Sequence, residues 1–220
     1  MNHMRTIRVT GKGQIRLKPD MTRLTITLGE IFKEYGEALT RSAQDTETLG
    51  GLLAGLGFEK TDLKTVYFNV NTEYEGYEQN GEYKQRLVGY RYSHTLKLDF
   101  ESDNEKLGKV VYALAHSDIR PEFRISYTVK DQEAAKKELL GKAVQDAKEK
   151  AVVLADASGV ALKDIQRIDY TWGQLDFEAR PMNDMVMCKM SVAGSESYDM
   201  AIEPDDIEVT DTVTVIWEIG

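Results

Sequence analysis

The sequence predicts an α+β fold: a ferredoxin-like split βαβ core, joined by a second sheet-and-long-helix layer that shares a long strand with it. Three observations carry this expectation. Val88, Tyr90, Tyr92, His94, Leu96, Leu98 and Phe100 alternate with Gly89, Arg91, Ser93, Thr95, Lys97 and Asp99, the period-two signature of a strand with one buried face. Three proline-free segments carry apolar residues at helical spacing and separate the strand-like runs. From the second strand onward the order is strand, helix, strand, strand, helix, strand, which is the split βαβ arrangement. With 220 residues, of which 41% are hydrophobic, the chain can bury a sizeable core and is not intrinsically disordered. It reads as a single domain over 1–220, divisible into two intertwined parts: about 20–130 for the split βαβ, and 5–18 with 131–220 for the second layer.

The first strand alternates Ile7, Val9, Gly11 and then Ile15, Leu17. Gly11-Lys12-Gly13 interrupts it and predicts a bulge or bend. Lys18-Pro19-Asp20 supplies turn chemistry, and Leu24, Ile26 and Leu28 face one way on a return strand, so the two predict a β-hairpin. Leu39, Leu49, Leu52, Leu53 and Leu56 predict a first helix over 36–56, ended by Gly57. Val66, Phe68 and Val70 begin the next strand, and a polar stretch rich in Tyr and Gly leads to the long run ending at Phe100. Ser102-Asp103-Asn104-Glu105 reads as a capping box before Leu107, Val110, Val111 and Leu114, a second helix running to about His116. Phe123, Ile125, Tyr127 and Val129 form a strand. Asp131 caps a long helix through Ala157, with Ala135, Leu139, Ala143, Ala147, Ala151 and Leu154 on its buried stripe and Gly159 closing it. Strands follow at 165–172 and 207–219, and 173–203 reads as irregular.

The net charge of −9 repels phosphate backbones, so nucleic acid is not an expected partner. A single cysteine, Cys188, permits no internal disulfide, and with only His3, His94 and His116 beside it a conventional zinc site is not expected. No window approaches a membrane span, and the N-terminus lacks the apolar stretch of a secretory signal. As written, the chain is expected in the cytoplasm, or in the envelope or periplasm if a signal has been removed.

Val9-Thr10-Gly11-Lys12-Gly13 with Pro19-Asp20 resembles the opening signature of the SIMPL domain family. Four further blocks agree in order and spacing. They are Gly89-Tyr90-Arg91-Tyr92, Ala143 through Ala151 with Leu154-Ala155 and Gly159, Ile202-Glu203-Pro204, and Ile207-Glu208-Val209. The resemblance covers nearly the whole chain. It implies a SIMPL-type α+β fold, assembly into homo-oligomers that are ring- or channel-like in some members, and a link to stress tolerance and the bacterial cell envelope. It supplies no catalytic residues.

The chemical candidates are few. Gly11-Lys12-Gly13 lacks the following helix and the Gly-Lys-Ser/Thr of a phosphate loop, so it reads as strand structure. His94 shares parity with Tyr92 and Leu96 and reads as a buried, hydrogen-bonded histidine. His116 lies at a helix end, where a cation complements the dipole. Tyr74, Tyr77 and Tyr83 among Glu73, Glu75, Glu78 and Glu82 read as an exposed hairpin tip suited to a protein contact. Met182, Met185, Met187 and Met190 read as an adaptable apolar contact between copies; with Cys188 they are also a soft ligand set for Cu(I). The expectation is a non-enzymatic protein without cofactor that binds itself, and other proteins, in a stress-response setting. The alternative is a Cu(I)-binding protein using 182–190.

Overall fold

The computed structural model describes residues 5–171, 173, 175–180, 198 and 202–220. Their elements, in chain order, are β1 (Thr6–Leu17), β2 (Met21–Phe32), α1 (Tyr35–Gly55), β3 (Leu63–Gln79), β4 (Glu82–Glu101), α2 (Asn104–Ala115), β5 (Glu122–Thr128), α3 (Gln132–Ala157), β6 (Leu162–Asp169) and β7 (Ile207–Ile219). The fold is α+β with two separate sheets, ordered β1-β7-β6 and β3-β4-β2-β5. The chain divides into two compact units, one of Met1–Asp20, Thr128–Ala179 and Asp205–Gly220, the other of Met21–Tyr127 and Arg180–Pro204.

In the first unit β1 and β7 pair antiparallel without a break, from Thr6 opposite Glu218 to Leu17 opposite Ile207. The expected bulge at Gly11-Lys12-Gly13 is therefore absent, and the reason for the glycines lies in α3. A Cβ at Gly11 would overlap the Ala143 carbonyl oxygen and lie 2.7 Å from the Ala147 Cβ; one at Gly13 would lie 3.0 Å from the Ala143 amide nitrogen. Strand and helix backbones meet directly, so the buried stripe of α3 is Ala135, Leu139, Ala143, Ala147, Ala151 and Ala155. Leu154, expected on that stripe, is 48% exposed. The stripe advances in steps of four residues, so the next position after Ala151 is Ala155, and Leu154 lies one residue, about 100°, round the helix from it. The Lys12 amide donates to Asp146 Oδ2 at 2.7 Å, which satisfies one N–H of edge strand β1. Asp131 caps α3 as expected, accepting from the Ala134 amide at 2.8 Å.

In the second unit the order β3-β4-β2-β5 is that of a split βαβ, each half contributing a strand, a helix and a strand. β2 pairs with β4, so β1 and β2 are not a hairpin, and β2 belongs to this sheet alone rather than being shared. The Pro19-Asp20 turn carries the chain from one sheet to the other instead of folding it back. Leu24, Ile26, Leu28, Tyr92, Leu96 and Leu98 pack with Leu49 and Leu53 of α1 and Leu107, Val110 and Leu114 of α2. The even-numbered face of β4 is buried from Tyr92 to Phe100, as the alternation requires. At the start of α2 the cap is Asp103, which accepts from the amides of Glu105 and Lys106; Ser102 instead accepts a 3.3 Å hydrogen bond from Thr22. The two-residue reach of an Asp carboxylate serves both free amides at once, which displaces the expected capping box by one residue.

Candidate functional site

Two features of the second unit stand out. The first is the hairpin of β3 and β4, paired from Leu63 opposite Leu98 to Gln79 opposite Glu82. It closes on Asn80 and Gly81, whose φ values of 57° and 79° suit a tight hairpin turn. The stretch expected as an exposed hairpin tip is a hairpin, with its strands paired right up to the turn. β2 accompanies β4 only between Tyr90 and Glu101. Among the described residues, Glu73 to Gly89 is therefore a two-stranded ribbon, an arrangement marginal in water by itself. Gly89 marks where the third strand ends, because a Cβ there would overlap the Phe32 carbonyl. On the ribbon Tyr74 is 56% and Tyr83 77% exposed, and Leu87 and Val88 are also exposed. Glu75 pairs with Arg86, which also lies 5.8 Å over the Tyr77 ring, and Glu73 pairs with Arg91 at 3.4 Å. Nearer its base, β3 carries an extra residue between Thr65 and Tyr67, and Val66, Tyr67 and Phe68 are all exposed on this edge strand.

The second feature is a groove of about 1010 Å³ between α1 and strands β3 and β4. His94 lies at its base, 8% exposed. Thr46 Oγ1 donates to the Ser42 carbonyl at 2.7 Å, so it must accept from His94 Nδ1, 3.0 Å away. The ring is then the Nδ1–H tautomer, and Nε2 accepts from the Thr65 hydroxyl at 2.9 Å. Phe68 meets the ring edge-on at 5.2 Å. Burial lowers the His94 pKa below the usual imidazole value, which keeps the ring neutral. Gly50 and Gly51 lie in the wall of α1, where a Cβ would meet nothing within 4 Å. Each weakens the helix by roughly 1 kcal/mol relative to alanine, and no internal packing requires either.

Beside these, the Tyr92 hydroxyl donates to the buried Asp45 carboxylate, and Arg41 pairs with Asp45 at 3.0 Å one helical turn away. Burial, with Asp45 adjacent, raises the Tyr92 pKa and keeps the phenol protonated. This arrangement ties α1 to β4.

His94 occupies the buried, bonded position expected from its parity. His116 caps the end of α2, with Nδ1 2.9 Å from the Tyr112 carbonyl and its ring stacked on Tyr112 at 4.1 Å. Met182, Met185, Met187, Met190 and Cys188 lie outside the described residues. Among the described residues, no three His, Cys, Asp or Glu side chains gather as a cation site, and no helix is long and apolar enough to cross a membrane. Sequence reasoning missed Thr46, Thr65, Asp45 and the Gly50-Gly51 pair. The glycine pair inside an otherwise leucine-spaced helix was the one visible signal.

Comparison with known proteins gives a family and a relative. The model of the SIMPL family, described as a protein of unknown function (DUF541), matches residues 7–217. The 26 kDa periplasmic immunogenic protein of Brucella melitensis biotype 1 is 26% identical over 157 residues, which is 71% of this chain and 62% of that relative. The match thus spans less than two thirds of the relative's length.

Proposed function

Since the chain belongs to the SIMPL family, we propose that it is a non-enzymatic protein of the cell envelope that assembles into a homo-oligomer and acts through protein contacts in stress tolerance. The observation that carries this reading is the β3–β4 ribbon. A two-stranded arm with exposed tyrosines and an exposed apolar edge gains most when a second copy covers it, because tyrosine buries a large ring and still satisfies its hydroxyl. The envelope setting draws on the periplasmic relative. Met182, Met185, Met187 and Met190 supply a further adaptable contact in this reading.

Each copy carries a net charge of −9, so copies repel one another at long range, and salt screens that repulsion. Assembly through apolar contacts therefore tightens as salt rises, which light scattering at low and high ionic strength will show. Replacing Tyr74, Tyr77 and Tyr83 with serine lowers the particle mass at every salt concentration. An intact chain that stays monomeric at tens of micromolar contradicts the proposal.

A second reading, Cu(I) binding, rests on four thioethers and one thiol within residues 182–190. Competition with a chromophoric Cu(I) chelator separates the two. The assembly reading predicts no competitive binding by the intact chain, and a weaker assembly when Met185, Met187 and Cys188 are replaced together.

A further inference from the structure

We propose that the groove between α1 and the β3–β4 strands binds a neutral amphipathic small molecule carrying an O–H or N–H donor, a function separate from assembly. Its volume of about 1010 Å³ is that of an ordinary small-molecule site, and its walls are mainly apolar, with Leu39, Leu53, Leu63, Phe68 and Leu96 among them.

The polar groups at the base decide the kind of head group. Thr46 has given its hydroxyl proton to the Ser42 carbonyl, and Thr65 has given its own to His94. What both still offer is a lone pair, so the site accepts a hydrogen bond and has no hydroxyl proton to spare for one. The rim carries Glu47, Glu59 and Lys60, one net negative charge, on a chain that is itself acidic. A carboxylate or sulfonate head is therefore repelled, and a neutral donor is favoured.

Gly50 and Gly51 are the independent observation. Helix interiors disfavour glycine, and these two face open space rather than a neighbouring element. Their missing side chains keep the wall of α1 bare along the groove. By contrast, Gly11 and Gly13 are fully accounted for by the helix packed against them.

The neutral fluorophore N-phenyl-1-naphthylamine, an apolar body with one N–H donor, tests the assignment on the full chain by fluorescence titration. The intact protein should show saturable enhancement at one site per chain, with affinity for the anionic dye anilinonaphthalene sulfonate at least about tenfold weaker. Gly50→Leu, which fills the wall, should weaken naphthylamine binding at least about tenfold. Gly141→Leu is the control: it lies on α3, where a Cβ also meets open space, and should leave binding unchanged while affecting helix propensity in the same way. Thr65→Val, which removes one of the two acceptors, should weaken naphthylamine binding several-fold. Absence of saturable binding, equal affinity for the two dyes, or a Gly50→Leu protein that binds as the intact chain does would each overturn the proposal.

Discussion

The inner and outer halves of one hairpin obey different rules. From Tyr90 to Leu98, β4 has a strand on each side, and every second side chain from Tyr92 to Phe100 is buried. Beyond the buried Gly89 the same strand keeps only β3, and from Val88 to Glu82 both of its faces are exposed apart from a half-buried Lys84. The inner half is held by burial, and its side chains contribute to folding. The outer half is held by cross-strand pairs such as Glu75 with Arg86, and its tyrosines stand exposed. A strand can thus be core at one end and exposed surface at the other.

Substitutions along the hairpin sharpen or break this contrast. Leu96→Ala, at a position 2% exposed, should cost about 3 kcal/mol in urea melts, and a cost near zero would remove the inner half from the core. Gly89→Val, at the boundary, should cost about 2 kcal/mol, because the added side chain meets the Phe32 carbonyl and not a movable side-chain tip. If it costs nothing, the two halves have no fixed boundary there.

His94 should give a smaller, pH-dependent effect. Its folded pKa is lowered by burial, so below the ordinary imidazole value of about 6.5 the unfolded chain binds the proton more readily than the folded one. The stability His94 contributes is complete above that value and is lost as pH falls through it. The stability gap between the intact chain and His94→Gln should accordingly shrink between pH 7.5 and 5.5, measured by denaturant melts at each pH. A gap independent of pH would mean the ring is not held neutral. Smallest of all, Thr95→Ala on the half-exposed face should stay within about 1 kcal/mol. A cost equal to that of Leu96→Ala would show the strand buried on both faces.

Local patterning made much of this legible and left the rest hidden for identifiable reasons. The parity of β4, the Asp131 cap and the split βαβ order all depend on neighbours in sequence or on element order, and all can be read from the residues. The partner of β1 cannot, because Pro19-Asp20 is equally compatible with a hairpin and with passage into another sheet. Gly11 and Gly13 suggest a bulge until α3 is placed against them, and the four-residue step of the buried stripe puts Ala155 rather than Leu154 on it. Of the candidate site, His94 and the exposed tyrosines were visible as residues. The two threonines that set the histidine tautomer come from different elements, and no spacing rule joins them.

The central claim, that the outer ribbon serves assembly and not folding, is tested most directly by shortening it. Pairs Gln79–Glu82, Tyr77–Lys84 and Glu75–Arg86 share one pairing parity, so replacing residues 76–85 with Asn-Gly lets Glu75 and Arg86 close the turn in register. Sedimentation velocity at tens of micromolar should then show an oligomer for the intact chain and a smaller species for the shortened one, with both melting at the same temperature once diluted until each is monomeric. The same oligomer for both chains, or a monomer for the intact chain, would contradict the account.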